Sequence, residues 1–248
     1  MITSVGIVGY GSFGKLLADL LAPYAEVKVY SRRNIPSDQM VSNVSLQPIE
    51  VVAGCPLVIV ANDLASLEEA CRKIAPYVSA ETIVMDVCSV KVAPVKILRQ
   101  VFGKRCRLLA THPLWGPQAV AANGGTEGLK MAWHELQGGP FDGVRQLFEG
   151  ALKLSILPML PEDHDKEMAW VHGLTFFVGR GLLQLNPPES GLATHYYNEL
   201  MDVVGVEKTH SYDLFMTIQQ GNPYTDDIRR QFVEILGKLE ATIMEKDV

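Results

Sequence analysis

Apolar residues fall in short runs over roughly the first 160 positions and at helical spacing after them, and this change of rhythm divides the chain. Val5, Ile7 and Val8 form a first run that ends at a glycine cluster, and a second run covers residues 27–30. Further strand-length runs cover residues 56–61, 82–87, 107–111, 131–136 and 153–158. Residues 64–74 (LASLEEACRKI) instead repeat with a period of about 3.6, which predicts a helix that Asn62 or Asp63 can cap. Strands alternating with helices imply a mostly parallel sheet. From about Asp163 the rhythm is helical throughout, with an inter-helix loop at residues 186–190 (NPPES). The expected architecture is α/β: an N-terminal Rossmann domain over residues 1–160 and a smaller all-helical domain over residues 161–248.

Composition narrows the function classes. The net charge of −6 and the lack of a Lys/Arg-rich tract argue against nucleic acid as a partner. No apolar run approaches the roughly 20 residues of a membrane helix, and the opening MITSVGIVG enters the first strand directly, so a cytoplasmic protein is expected. Cys55, Cys71, Cys88 and Cys106 show no CxxC spacing and read as buried reduced thiols, so no metal is implied. The helical part is small for independent stability, and a homodimer acting on a small-molecule substrate is the expectation.

The segment VGIVGYGSFGKLLADLLAPYAEVKVYSRR carries the sharpest chemical signal. Gly9, Gly11 and Gly14 have the GxGxxG spacing between a strand and a helix: one glycine for the tight turn, one for backbone approach to a pyrophosphate, one for close helix packing. The phosphate then sits at a helix N-terminus. At the end of the second strand, where an NAD enzyme usually has an acidic residue for the ribose 2′-hydroxyl, the chain has Ser31, Arg32 and Arg33. Guanidinium forks suit a 2′-phosphate that a carboxylate would repel, so the expected cofactor is NADP. Ser12 and Phe13 inside the loop, and Asn62 after a later strand, complete the cofactor-binding candidates.

Ligands of an open parallel sheet lie beyond the carboxyl ends of its strands. Two such ends stand out, DVCSVK at residues 86–91 and THPLWGP at residues 111–117. His112 as a neutral imidazole can take a hydroxyl proton while hydride leaves the same carbon, Ser89 can orient the imidazole, and Lys91 can pair with a substrate anion. Each also has a structural reading: His112 ending a strand, Ser89 starting a helix, Lys91 solvated.

DVCSVK, THPLWGP and EDHDKEMA resemble the DVxSVK, HPMFGP and HD motifs of the prephenate/arogenate dehydrogenase family. GYGSFGKLLA, YSRR, HDK and VGRGL are similar to the plant-type, NADP-using arogenate dehydrogenase branch. The resemblance implies a Rossmann domain followed by a helical dimerisation domain, and an oxidative decarboxylation: hydride leaves ring C4, the ring carboxylate leaves as CO2, and a phenol forms. By motif, His112 would accept the C4 hydroxyl proton, Ser89 would hold its tautomer, and Lys91 would help fix the substrate and His112. Gln118, His172 and Thr175 are candidate substrate contacts. His164 and Asp165 are read as the opening turn of a helix, with Asp165 favoured there by the helix dipole.

The chain also departs from the family pattern. Phe176 stands where many relatives have a second histidine, Asn198 where the bacterial pattern has an arginine, and Leu114–Trp115 where the turn has Met-Phe. Arg180, Arg229 and Arg230 remain as anion partners, although charges on long helices are usually solvated. Two other readings stay open: another NADP oxidoreductase of similar layout, such as a β-hydroxyacid dehydrogenase or pyrroline-carboxylate reductase, and a non-catalytic NADP-binding sensor.

Overall fold

A computed structural model describes residues 2–245. The chain divides into two compact units, Met1–Pro161 and Glu162–Val248.

The first unit is built on an eight-stranded sheet with order β3-β2-β1-β4-β5-β6-β7-β8. In chain order its elements are β1 (Ser4–Val8), α1 (Ser12–Leu21), β2 (Glu26–Tyr30), β3 (Val44–Leu46), α2 (Ile49–Ala53), β4 (Leu57–Val60), α3 (Leu64–Ile74), β5 (Ile83–Asp86), α4 (Val92–Phe102), β6 (Arg107–Pro113), α5 (Pro117–Asn123), β7 (Lys130–Gln137), α6 (Asp142–Arg145) and β8 (Ser155–Pro158). Every pairing is parallel except that of β6 with β7. Alternate residues of the central strands feed two separate cores. Val5, Ile7, Leu57, Ile59 and Met85 pack with α1 on one face, and Val8, Val58, Val60 and Val84 pack with α3 and α4 on the other. Burial on both faces is why these strands read as unbroken apolar runs rather than as an alternation.

The strand and helix expectations hold with two kinds of difference. The run expected to end at Thr111 continues to Pro113, because antiparallel β7 extends the ladder: Thr111 faces Trp133, His112 faces Ala132 and Pro113 faces Met131. His112 is therefore inside a strand rather than just beyond one. Short β3 and α2 have no expectation matching them, since three and five residues are too few for a periodicity to register. Asp63 proves to be the cap of α3, its Oδ1 accepting from Ser66 N at 2.8 Å.

The second unit is helical. α7 (Pro161–Met168) runs through a π-helical turn (Ala169–Leu174) into α8 (Thr175–Leu185), followed by α9 (His195–Thr209), α10 (Tyr212–Gly221) and α11 (Thr225–Met244). The NPPES loop falls between α8 and α9 as expected. Thr194 and Ser211 cap α9 and α10 with their hydroxyl oxygens, which accept from the backbone N–H of Tyr197 and Leu214. At the π-turn, Gly173 lies so close to Thr225 that a Cβ would stand 2.8 Å from its Cγ2, and the Gly173 carbonyl accepts from Gln219 Nε2 at 2.7 Å. Among the described residues no helix is long and apolar enough to cross a membrane.

Candidate active site

Because β1, β2, β4, β5 and β6 are parallel neighbours, their carboxyl ends share one edge of the sheet. The glycine loop after β1, the Ser31–Arg33 segment after β2, Asn62 after β4, Ser89 after β5 and His112 at the end of β6 all lie on that edge. Adjacency of strand ends, not proximity in sequence, gathers them.

The glycine loop has the geometry of a phosphate cradle. Gly9 has φ +101°, a conformation that side chains rarely adopt, and a Cβ there would stand 2.6 Å from the Ala61 carbonyl oxygen. At Gly14 a Cβ would stand 2.2 Å from the Gly9 oxygen, so α1 can follow the loop this tightly only without a side chain. Gly11 is different, because nothing lies within 4 Å of where its Cβ would be. That open face, at the N-cap of a ten-residue helix with no side-chain cap, is where a phosphate group fits. The buried Asn62 Oδ1 has no hydrogen-bond partner and faces Gly9. These residues fit a dinucleotide.

At the end of β2, Arg33 is already oriented: its Nη2 donates to the Tyr10 carbonyl at 2.7 Å and its backbone N–H donates to Ser31 Oγ at 3.1 Å. Arg32 is exposed. No acidic side chain occupies the three positions that follow β2.

Below His112 lies a charged group that sequence reasoning missed. Asp86, the last residue of β5, is fully buried and forms an ion pair with Lys91, which is only 2% exposed. The Lys91 ammonium also donates to the Thr111 carbonyl, while Thr111 Oγ1 donates to the Asp86 carbonyl at 2.6 Å and the Cys88 N–H donates to Asp86 Oδ2 at 3.0 Å. The solvated reading of Lys91 is therefore wrong, since the Asp86 carboxylate and the Thr111 carbonyl hold it in the interior. Two of its three N–H donors go to the residue next to His112 and to β5, a placement that ties the two strand ends together. An acidic residue closing an otherwise apolar strand, IVMD, was the available signal.

Ser89 is half-buried in the loop between β5 and α4, and Gln118 is exposed in the first turn of α5. His172 and Thr175 belong to the second unit. His172 sits in the π-turn, where burial, reinforced by His164 and His210, lowers its pKa to about 4. Thr175 lines a pocket of about 200 Å³ with Phe176, Asp202, Val203, Val206 and Glu207.

Phe176 is packed between two imidazoles, 5.1 Å from His172 and 4.7 Å from His210, stacked on both. Arg180 is not solvated: it pairs with the buried Glu207 at 3.0 Å and lies over the Phe215 ring. His164 and Asp165 fall at the start of α7, as the fourth and fifth of its residues, and prove to be more than a solvated helix end. Both are buried, they are bonded to each other at 2.8 Å, and the first turn of α7 also holds Glu162 and Asp163.

Comparison with known proteins points to one family. Residues 37–132 match the family model for the prephenate dehydrogenase nucleotide-binding domain. A probable arogenate/prephenate dehydrogenase of Methanocaldococcus jannaschii is 26% identical over 80% of this chain and 46% of its own length. Arogenate dehydrogenase 1 of Arabidopsis thaliana is 26% identical over 85% of this chain and 35% of its own. The chain thus spans about half or less of these two relatives. In fold, prephenate dehydrogenase from A. aeolicus, solved with hydroxyphenyl propionate and NAD+, superposes with a TM-score of 0.75 at 19% identity, over 99% of this chain and 92% of that one. Synechocystis arogenate dehydrogenase gives a TM-score of 0.71 at 19% identity, over 99% and 93%. In sequence and in fold alike, the family this chain resembles is that of the prephenate/arogenate dehydrogenases.

Proposed function

We propose that the protein oxidatively decarboxylates a cyclohexadienol, arogenate or prephenate, using NADP. The observation that carries this reading is the placement of His112 on the same sheet edge as the glycine cradle and the Ser31–Arg33 segment. The nicotinamide, when bound, supplies the acceptor for the hydride that leaves ring C4. His112 takes the proton of the C4 hydroxyl, giving a dienone. The ring carboxylate then departs as CO2, and the electron pair of the broken C–C bond enters the ring to form a phenolate, which takes a proton back. Aromatisation drives the reaction, so the protein's task is placement and proton acceptance.

Ser89 orients the imidazole, and the Lys91–Asp86 pair holds the β5 and β6 ends on which both residues stand. Gln118, His172 and Thr175 are the proposed substrate contacts. Ser31, Arg32 and Arg33 select NADP over NAD, a preference supported by the absence of a carboxylate after β2. Two copies associate as a homodimer through the helical unit, where Val233, Leu236, Leu239 and Ile243 of α11 are exposed on a helix with little of its surface buried.

Initial rates of reduced-nicotinamide formation, with arogenate or prephenate paired with NADP or NAD, test the proposal together. Turnover with NADP and at least one of the two substrates is expected. Silence in all four combinations from protein that binds NADPH would sink it.

A further inference from the structure

The glycine loop and the turn after β6 touch through two aromatic rings. Phe13, the second residue of α1, has its ring centroid 5.4 Å from that of Trp115, with the planes tilted by 49°. Trp115 is 6% exposed, and its indole N–H is buried without a hydrogen-bond partner. A buried donor left unmade is a cost, so ring packing rather than polar bonding keeps the indole there. The turn is tied on its other side by the Leu114 N–H, which donates to the Lys130 carbonyl at 3.0 Å. Directly after it, Gly116 caps α5, which packs against α1 and carries Gln118. Directly before it stand Pro113 and His112.

We propose that Phe13 and Trp115 are positioning residues that transmit occupation of the glycine loop to the turn at residues 114–118, so that a bound dinucleotide orders the segment between His112 and Gln118. Phe13 can do this because of where it sits. It lies between Gly11, whose open face receives a phosphate, and Gly14, whose packing against Gly9 leaves the loop no slack. Fixing the first turn of α1 fixes the Phe13 ring, and the Phe13 ring is one wall of the site that Trp115 fills. The consequence is a coupling in which a bound dinucleotide raises the affinity for a ligand held by residues 112–118, and that ligand raises the affinity for the dinucleotide. The inference rests on the dinucleotide reading of the glycine loop, but not on which substrate is oxidised.

Amide hydrogen exchange of residues 114–124, measured with and without saturating NADPH, tests it without turnover. Nicotinamide fluorescence verifies binding in each protein. In the unmodified protein these amides should exchange about tenfold more slowly when NADPH is bound. Phe13→Tyr, which keeps a ring, should retain the slowing. Trp115→Leu, outside the glycine loop, should bind NADPH and lose the slowing, and Phe13→Leu should lose it too when compared at NADPH saturation verified for that variant. Undiminished slowing in both leucine variants, or none in the unmodified protein with NADPH bound, would overturn the coupling and leave the dinucleotide site standing. Failure of the unmodified protein to bind NADPH at all would overturn both.

Discussion

Lys91 and Asp86 form an ion pair with almost no exposure to solvent, and the Thr111 carbonyl is the second acceptor of the lysine ammonium. The pair joins the ends of two adjacent strands and the residue that precedes His112. Two charges in the interior are tolerated because each is matched and further hydrogen bonds complete both.

Removing one partner should therefore cost more than removing both. Lys91→Met leaves a buried unpaired carboxylate and should destabilise the protein by about 3–5 kcal/mol, with part of this recovered in Lys91→Met/Asp86→Asn. Urea unfolding of the two variants measures it. A loss below about 1 kcal/mol for Lys91→Met would place the pair among ordinary surface ion pairs.

Gly14 and Gly11 should fail in different ways. Gly14→Ala forces a methyl into the Gly9 carbonyl oxygen and should disturb the loop itself, lowering the melting temperature as well as dinucleotide affinity. Gly11→Ala places a methyl in open space, so beyond the small loss from a poorer N-cap it should spare the melting temperature and weaken mainly the dinucleotide. Equal melting losses for both would contradict the cradle geometry.

Each arginine after β2 should matter to NADP and little to NAD. A hydrogen bond to a charged group contributes about 1.5–3 kcal/mol, so Arg32→Ala or Arg33→Ala should weaken NADP about tenfold or more. Arg33→Ala should also loosen the loop, since its guanidinium holds the Tyr10 carbonyl. Calorimetric titration with both dinucleotides separates the two effects.

Acid should destabilise the helical unit through His172. Its folded pKa of about 4 lies below the unfolded value of about 6.5. Above about pH 6.5 both states are neutral and nothing is lost. As pH falls toward 4 the unfolded chain binds a proton that the folded chain refuses, so stability drops by up to about 3 kcal/mol. In His172→Gln this part of the pH dependence should vanish from unfolding curves recorded between pH 4 and 7.

The thiols should be inert in the folded state. All four cysteines are buried, and burial pushes Cys71 up to about 12 and Cys106 up to about 11. Ellman's reagent at pH 8 should titrate them only after denaturant is added. Rapid reaction of the native protein would mean that the sheet core opens.

Sequence alone determined what local physics can write: the strands as apolar runs, because parallel strands bury both faces; the glycine loop, because turn, phosphate approach and close packing each exclude a Cβ; and the change to helical rhythm in the second unit. It also marked Ser89, Lys91 and His112 as the residues to examine, since strand ends are where open sheets bind ligands. Only tertiary structure decided the rest. The second acceptor of Lys91, the Thr111 carbonyl, is supplied only because β6 lies beside β5. His112 became part of a strand because β7, some twenty residues later, turned back antiparallel to pair with it. Arg180, which read as a solvated charge, is paired with Glu207 of α9, and the carbonyl of Asp165, which read as a helix cap, accepts from Asn222 just after α10. Partners distant in sequence leave no local trace, because period and propensity record only which face of an element is apolar, never which polar group waits opposite.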